Sequence, residues 1–415
     1  MAHSGFDKAF PAAAVALVLL GLLWTLWLWP TPISDYELYW NEAGGAAAYE
    51  RGGVGVLLFA LARSVFPQPQ WAALAVNLPA ALILLRLLRR CDPTRSRVFA
   101  WLGTGYLLLI TPYFGIVQVD LVATALLGCC WALLLRPLVR WRRGSAALAV
   151  LAGAAAVSTR PQFALTLSAL AGLLALAIVL LERGSARKLR AMALPAALAV
   201  IVAAGFASDL WGRHVAGTEE RVRTSSAVTL YSGLLVADDG LWCGSWTPEA
   251  TQAAYDDREM PLLDAVAARL SIHPAGHWLD ILQCKFTRHL VLPIAFALYW
   301  VSEPLREEAG AAPNPDQQRR LAAVVSLHPW ETRFYRALTL AIYAAAVVVV
   351  VRGWRSRPAV AVLPLAWLLS FWLVHLVFEV QGRYFLATIA LLPLLCALVQ
   401  GGSEAPEAGT AVAGS

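Results

Sequence analysis

Residues 10–29 read FPAAAVALVLLGLLWTLWLW, an uncharged run of 20 positions. At 1.5 Å per residue, a helix of that length crosses a hydrocarbon core of about 30 Å. The run is too long and too rich in tryptophan for a cleaved signal peptide, and no small-residue cleavage site follows it, so it reads as a retained membrane span. Directly beyond Pro30 the chain turns polar: Ser34-Asp35-Tyr36-Glu37-Leu38-Tyr39-Trp40-Asn41-Glu42 places three acids within eight positions. They stand where the span re-emerges into water. A solvated loop is the plain reading. The sharper one makes Asp35 a carboxylate held at the membrane face, with Glu37 beside it.

The pattern repeats along the chain. Apolar runs at about 71–88, 98–115, 119–136, 145–158, 163–181, 191–208, 336–351, 358–376 and 384–400 follow the first, giving ten expected spans. Arginines fill the turns between alternate spans: Arg86, Arg89, Arg90, Arg95 and Arg97; Arg136, Arg140, Arg142 and Arg143; Arg183, Arg187, Lys188 and Arg190; Arg352, Arg355 and Arg357. Ten spans put all four basic loops on one side, the cytoplasmic side by the positive-inside rule. The run 54–66, closed by Pro67 and Pro69, is too short to cross and suits a helix lying on the bilayer within the first external loop, 31–70. The expected fold is therefore an all-α polytopic bundle of about ten transmembrane helices. Its parts are an N-terminal module (1–208), an extracytoplasmic segment (209–335) and C-terminal helices (336–400). A tail (401–415) of Gly, Ala, Ser and Glu has the composition of disorder. Within the external segment, the apolar run from His289 to Val301 is flanked by charge and is expected to be a second interfacial helix, because a crossing there would break the charge parity.

Composition agrees. Charged residues make up 14% of the chain, and mean hydropathy is +0.62, against about 25% charged in soluble domains. The net charge of +6 lies in short loops and forms no basic face, so nucleic acid is not an expected partner. The six cysteines show no metal-binding spacing. Cys129, Cys130 and Cys396 fall in spans. Cys243 and Cys284 share the external segment, where a disulfide could form if that side is oxidising.

Under this topology Asp35, Asp120, Arg160, Glu379 and Arg383 all reach the outer face, at the ends of different spans. Ionisable groups at membrane depth are expensive and usually functional. A carboxylate can take the proton of a nucleophile, and the arginine fork suits phosphate. Simpler roles exist for each. Asp120 could cap a helix, Arg160 could end a span and snorkel, and Arg383 could pair with Glu379 one turn away.

An acidic motif in the first external loop, a second acid after span three, Arg160-Pro161 after span five and Gln381-Gly382-Arg383-Tyr384 before the last span together resemble the GT-C superfamily. These are membrane glycosyltransferases that use polyprenyl-phosphate sugars. The likeness is to its bacterial branch, near the protein O-mannosyltransferases and lipid A aminoarabinose transferases, and covers roughly residues 8–400 as order and topology. The resemblance implies that Asp35 is the catalytic base and that Asp120 is the second acid. It also implies that Arg160, Arg383 and Lys285 hold the donor phosphate, with Glu37, Glu379, Gln381 and Tyr384 in support. Relatives often carry two adjacent acids where Tyr36 here separates Asp35 from Glu37. On a helix that step turns Glu37 about 200° away. Two external acids leave room for a divalent metal, but some relatives work without one, and no cofactor is assigned.

The implied activity is an inverting transfer, at the extracytoplasmic face of a bacterial inner membrane, from a polyprenyl-phosphate-linked donor to a glycan, lipid or protein acceptor. Trp211, Trp242, Trp246, Trp278, Trp300 and Trp330 in the external segment would cover the cavity. The alternative is a glycolipid flippase or transporter, which would favour internal repeats and broken helices at the midplane. A membrane O-acyltransferase would need an activating histidine, and none of His214, His273, His277, His289, His328 or His375 forms a suggestive pair with an aspartate in the sequence.

Overall fold

A computed structural model describes residues 5–28, 39–40, 53–90, 97–135, 143–216, 219–234, 243–291, 293, 295–299, 315–355 and 358–401. Asp35, Glu37, Trp242, Trp300 and the tail beyond 401 lie outside the described residues. Every regular element among the described residues is helical. Six stretches are long and apolar enough to cross a membrane: Ala9–Trp27, Pro69–Arg90, Gln162–Leu181, Ser185–Trp211, Gln318–Gly353 and Gly382–Gln400. The chain is an all-α membrane protein.

The long helices are α1 (Gly5–Leu28), α3 (Pro69–Arg90), α7 (Gln162–Leu181), α9 (Ala193–Ala216), α14 (Pro315–Gly353) and α17 (Phe385–Gly401). A seven-residue helix, α8 (Ser185–Ala191), leads into α9. Shorter apolar helices pack among them: α4 (Arg97–Leu109), α5 (Asp120–Leu135), α6 (Arg143–Thr159) and α16 (Leu363–Val377). Proline punctuates these shorter pieces. The expected span 98–115 stops at Leu109, and Pro112 turns the rest into a 3-10 segment, Thr111–Gly115. The helix before Arg160-Pro161 ends at Thr159, since a residue preceding proline is pushed out of the helical region. The expected span 358–376 is divided at Val362 into α15 (Pro358–Ala361) and α16, with Pro364 in the first turn of the second piece.

Outward-facing apolar side chains, among them Leu19 and Leu23 on α1, Leu151 on α6, Leu180 on α7 and Val351 on α14, remain exposed, as expected of helices whose solvent is lipid. The inside is organised on α17, which packs against α3, α4, α5, α14 and α16. In its stretch, 89% of residues are buried. The edge-on pair Trp131–Trp367, with ring centroids 6.2 Å apart, joins α5 to α16 beside it.

The segment 209–335 differs from expectation in two ways. First, the flanking helices run into it: α9 continues to Ala216 and α14 begins at Pro315. Thirty-nine residues of α14 make about 58 Å, nearly twice a hydrocarbon core. Between them lie α10 (Glu219–Leu234), α11 (Pro248–Asp256), α12 (Leu262–Leu270) and α13 (Ala275–Lys285). Tyr231, Ala250, Ala254, Ala265 and Val266 form a small apolar core of their own there. Second, the run from His289 is not one interfacial helix. Helical turns occupy 286–291 and 297–299, and Pro293 falls in the gap. Leu290, Ala295, Phe296, Ala297 and Leu298 are buried in the bundle core. Glu331 of α14 accepts the Leu298 amide at 3.1 Å, which fixes that run in place. The 13-residue helix α2 (Gly53–Val65) is present and too short to span.

Cys243 and Cys284 are joined in a disulfide across a sequence separation of 41, with Cα atoms 6.2 Å apart. It ties the turn before α11 to the end of α13.

Candidate functional site

One end of the bundle collects the charges. The 3-10 segment is secured from α3, where Asn77 donates through Nδ2 to the carbonyls of Phe114 and Ile116, each at 3.1 Å. Beyond it a short irregular stretch leads to α5, starting from Ile116 in an extended conformation. Val117 and Val119 enter an apolar cluster with Tyr39, Trp40, Val56 and Phe59. Gln118 and Asp120 are buried beside them.

Asp120 opens α5, yet its carboxylate faces side chains. Oδ1 accepts Arg160 Nε at 2.8 Å, with Nη2 at 2.7 Å, and Oδ2 accepts the Tyr113 hydroxyl at 2.9 Å. The pair is buried, with side-chain exposures of 7% for Arg160 and 5% for Asp120. Both oxygens are therefore engaged, and the group expected as a second catalytic acid acts as the anchor of Arg160. Arg160 in turn lies over the Tyr384 ring, its Cζ 5.3 Å from the centroid. Arg383 lies 5.5 Å from the centroid of the same ring, and the two guanidiniums are close enough to repel. Cation–π attraction to the shared tyrosine offsets part of that repulsion.

Tyr384 also stacks on His375, with centroids 5.4 Å apart. His375 Nδ1 bonds the Glu379 carbonyl at 2.6 Å, while its buried Nε2 meets no protein partner. Gln381 donates to the Glu379 carboxylate. Asp120, Arg160, Arg383, Glu379, Gln381 and Tyr384 are thus one neighbourhood, drawn from the ends of α5, α6, α16 and α17.

Lys285 is a correction. It was expected on the donor phosphate, but it is 0% exposed. Its Nζ donates to Gly233 O at 3.0 Å, Leu376 O at 2.9 Å and Phe378 O at 2.8 Å. Burial pushes the ammonium down to about 7, opposed by the Glu379 charge. Only the protonated form has three hydrogens for three carbonyls. Lys285 is a clamp on the end of α16, with no donor left for a phosphate.

That clamp belongs to a strap around Phe378–Gln381. Glu379 N donates to Thr229 O and Val380 N to Gly244 O, both at 2.8 Å, and Ser245 Oγ donates to Val380 O at 3.0 Å. Gly233 permits the approach: a Cβ there would stand 2.3 Å from Val377 O and 2.5 Å from Phe378 C. Gly244 has φ +75°, and a Cβ on it would stand 2.7 Å from the Lys285 side chain. The disulfide runs through the residues adjoining both Gly244 and Lys285. The outer helices α10–α13 therefore grip the backbone that aims Arg383.

Sequence reasoning missed Tyr113, Gly233, Gly244, Ser245 and Gln118. Only Gln118 left a local sign, a lone amide in the apolar stretch Ile116-Val117-Gln118-Val119. It is fully buried, and neither Oε1 nor Nε2 has a hydrogen-bond partner. Each such group costs about 1–3 kcal/mol when left unmet. Among the described residues, no group of three or more His, Cys, Asp or Glu side chains could hold a metal ion.

Comparison of the chain with protein-family models, curated proteins and solved structures gives no match, so what identifies this site is its own composition: two buried guanidiniums around one tyrosine ring, braced by a carboxylate, at the end of an all-helical membrane bundle.

Proposed function

We propose that the chain is an inverting glycosyltransferase of the GT-C kind. It takes a sugar from a polyprenyl-phosphate donor and gives it to an acceptor at the extracytoplasmic face of a bacterial inner membrane. In this reading the six long apolar helices, with α4, α5, α6 and α16, make ten crossings, and the arginine-rich loops face the cytoplasm.

The observation that carries the reading is the convergence of Arg160 and Arg383 on Tyr384. Placing two guanidiniums together away from water is costly and suits a site that meets concentrated negative charge. A lipid phosphate arriving along the bundle supplies that charge at the depth where the arginines stand. Tyr39 is buried close enough to Arg160 to act on its charge, and Asp35 is four residues before Tyr39 in sequence.

The chemistry assigned to these residues balances as a single displacement. The acceptor oxygen or nitrogen attacks the anomeric carbon, and Asp35 takes its proton. The carbon–oxygen bond to phosphate breaks, and its electron pair leaves with the polyprenyl phosphate. Arg160 and Arg383 stabilise the charge that develops there. Asp120 and Tyr113 act by orienting Arg160.

The test is transfer from a radiolabelled polyprenyl-phosphate sugar pool in membranes holding wild type, Asp35→Asn or Arg383→Ala at equal protein levels. The expected result is transfer by wild type, abolished by Asp35→Asn and reduced by roughly 100-fold or more in Arg383→Ala. Undiminished transfer by Asp35→Asn returns the acidic stretch to a solvated loop. Lipid-linked sugar crossing the bilayer without transfer puts the flippase in its place.

A further inference from the structure

Gln118 carries an assignment that the arginines do not. The amide of Asn77, also buried, spends its nitrogen on two carbonyls that shape the turn. Gln118 spends neither end, at 0% exposure. Its flanking valines both belong to the Tyr39–Trp40 cluster, and it stands two residues before Asp120, which holds Arg160 and Tyr113. A polar group with no job inside the fold, two residues from the charge cluster, is matched to something that arrives later.

We propose that Gln118 reads the sugar: its carboxamide accepts from one hydroxyl of the transferred ring and donates to the neighbouring one. The chemistry is specific to that class. Phosphate offers acceptors only and would leave Oε1 unmet, and an apolar lipid chain would leave both ends unmet. Adjacent ring hydroxyls supply a donor and an acceptor side by side, as the planar amide requires. Full burial means the sugar reaches Gln118 in an opened conformation of the site, which closing then seals. This assignment rests on the lipid-linked donor proposed above, and it adds the residue that selects the sugar from the residues that hold the phosphate.

The experiment uses the full chain in lipid nanodiscs and compares a short-chain polyprenyl-phosphate hexose with the same polyprenyl phosphate lacking the sugar. Binding is read by equilibrium titration for wild type, Gln118→Met and Gln118→Asn. Wild type is expected to bind the sugar-bearing lipid roughly 10- to 100-fold tighter, the worth of two neutral hydrogen bonds. Gln118→Met, nearly the same shape, loses that increment and keeps its affinity for the bare lipid. Its ligand-free melting temperature holds or rises, because two unmet polar groups have been removed. Gln118→Asn, shorter by one methylene, shows an intermediate increment if folded and guards against a misfolded Met variant. An increment unchanged in Gln118→Met, or a lowered ligand-free melting temperature with both affinities reduced alike, overturns the assignment and makes Gln118 a structural residue. Wild type that binds neither lipid overturns the donor reading beneath it instead.

Discussion

Asp120 and Asp257 make nearly the same bonds in different surroundings. Each accepts one tyrosine hydroxyl, from Tyr113 at 2.9 Å and from Tyr231 at 2.7 Å. Each also holds one arginine, Arg160 inside the bundle and Arg269 on the outer helices. Both arginines lie over tyrosine rings, 5.3 Å from Tyr384 and 5.6 Å from Tyr231. The inner arginine turns Nε and Nη2 to a single oxygen, whereas Arg269 reaches both oxygens of Asp257. The outer pair is also wetter, at 31% and 16% side-chain exposure. The same chemical parts serve as a stability device where water can replace a lost partner. Where water cannot, they form a fixed charge arrangement.

The largest effect expected from this contrast is at Arg160. Arg160→Leu leaves Asp120 charged and buried without its partner, a loss of about 3–5 kcal/mol. Arg269→Leu costs about 1 kcal/mol. Thermal unfolding in one detergent, with both variants side by side, checks the ordering, and equal losses would break the comparison. Next is the clasp between the regions. Cys243→Ser is expected to cost about 2–4 kcal/mol, read as faster hydrogen exchange at α10–α13 and at the Glu379 and Val380 amides, with α5 unchanged. Exchange confined to α10–α13 would mean that the strap holds without its disulfide.

The smallest effect is electrostatic and belongs to the outer cluster. Arg269, more than the opposing burial, holds Asp257 below its ordinary 3.8. The stability it gives is therefore complete above that value and is lost as pH falls through the lower folded one. Burial, then the Asp257 bond, pushes Tyr231 up to about 12 from 10. Its share is complete below 10 and is lost as pH rises through about 12. Wild type should outlast Asp257→Asn by about 1 kcal/mol near neutral pH in low salt, and the gap should narrow in acid and in 1 M salt. A gap indifferent to both would mean that packing, not charge, holds α11 and α12 together.

Much of the frame was legible because lipid imposes length: uncharged runs near 20 residues and arginine-rich turns give the helices directly. Arg160-Pro161 and Gln381-Gly382-Arg383-Tyr384 marked two sides of the charge cluster for the same reason, since charge in an apolar chain stands out. The rest depended on contacts distant in sequence. Nothing near Lys285 announces that carbonyls of α10 and α16 will surround it. Gly233 reads as an ordinary helical glycine until the α16 terminus is set against it. The apolar run after His289 looked interfacial by its flanking charges, and its burial depends on the Glu331 contact 33 residues from Leu298.

The helix at the centre of the bundle, α17, is also the last of the described helices in chain order. During synthesis the five helices packed against it are made before the element they enclose. Its packing brings Arg383 and Tyr384 up beside Arg160. The contacts of Asp120 with Arg160 and Tyr113 come from earlier elements and can form first, whereas the ring that both guanidiniums share arrives only with the last helix.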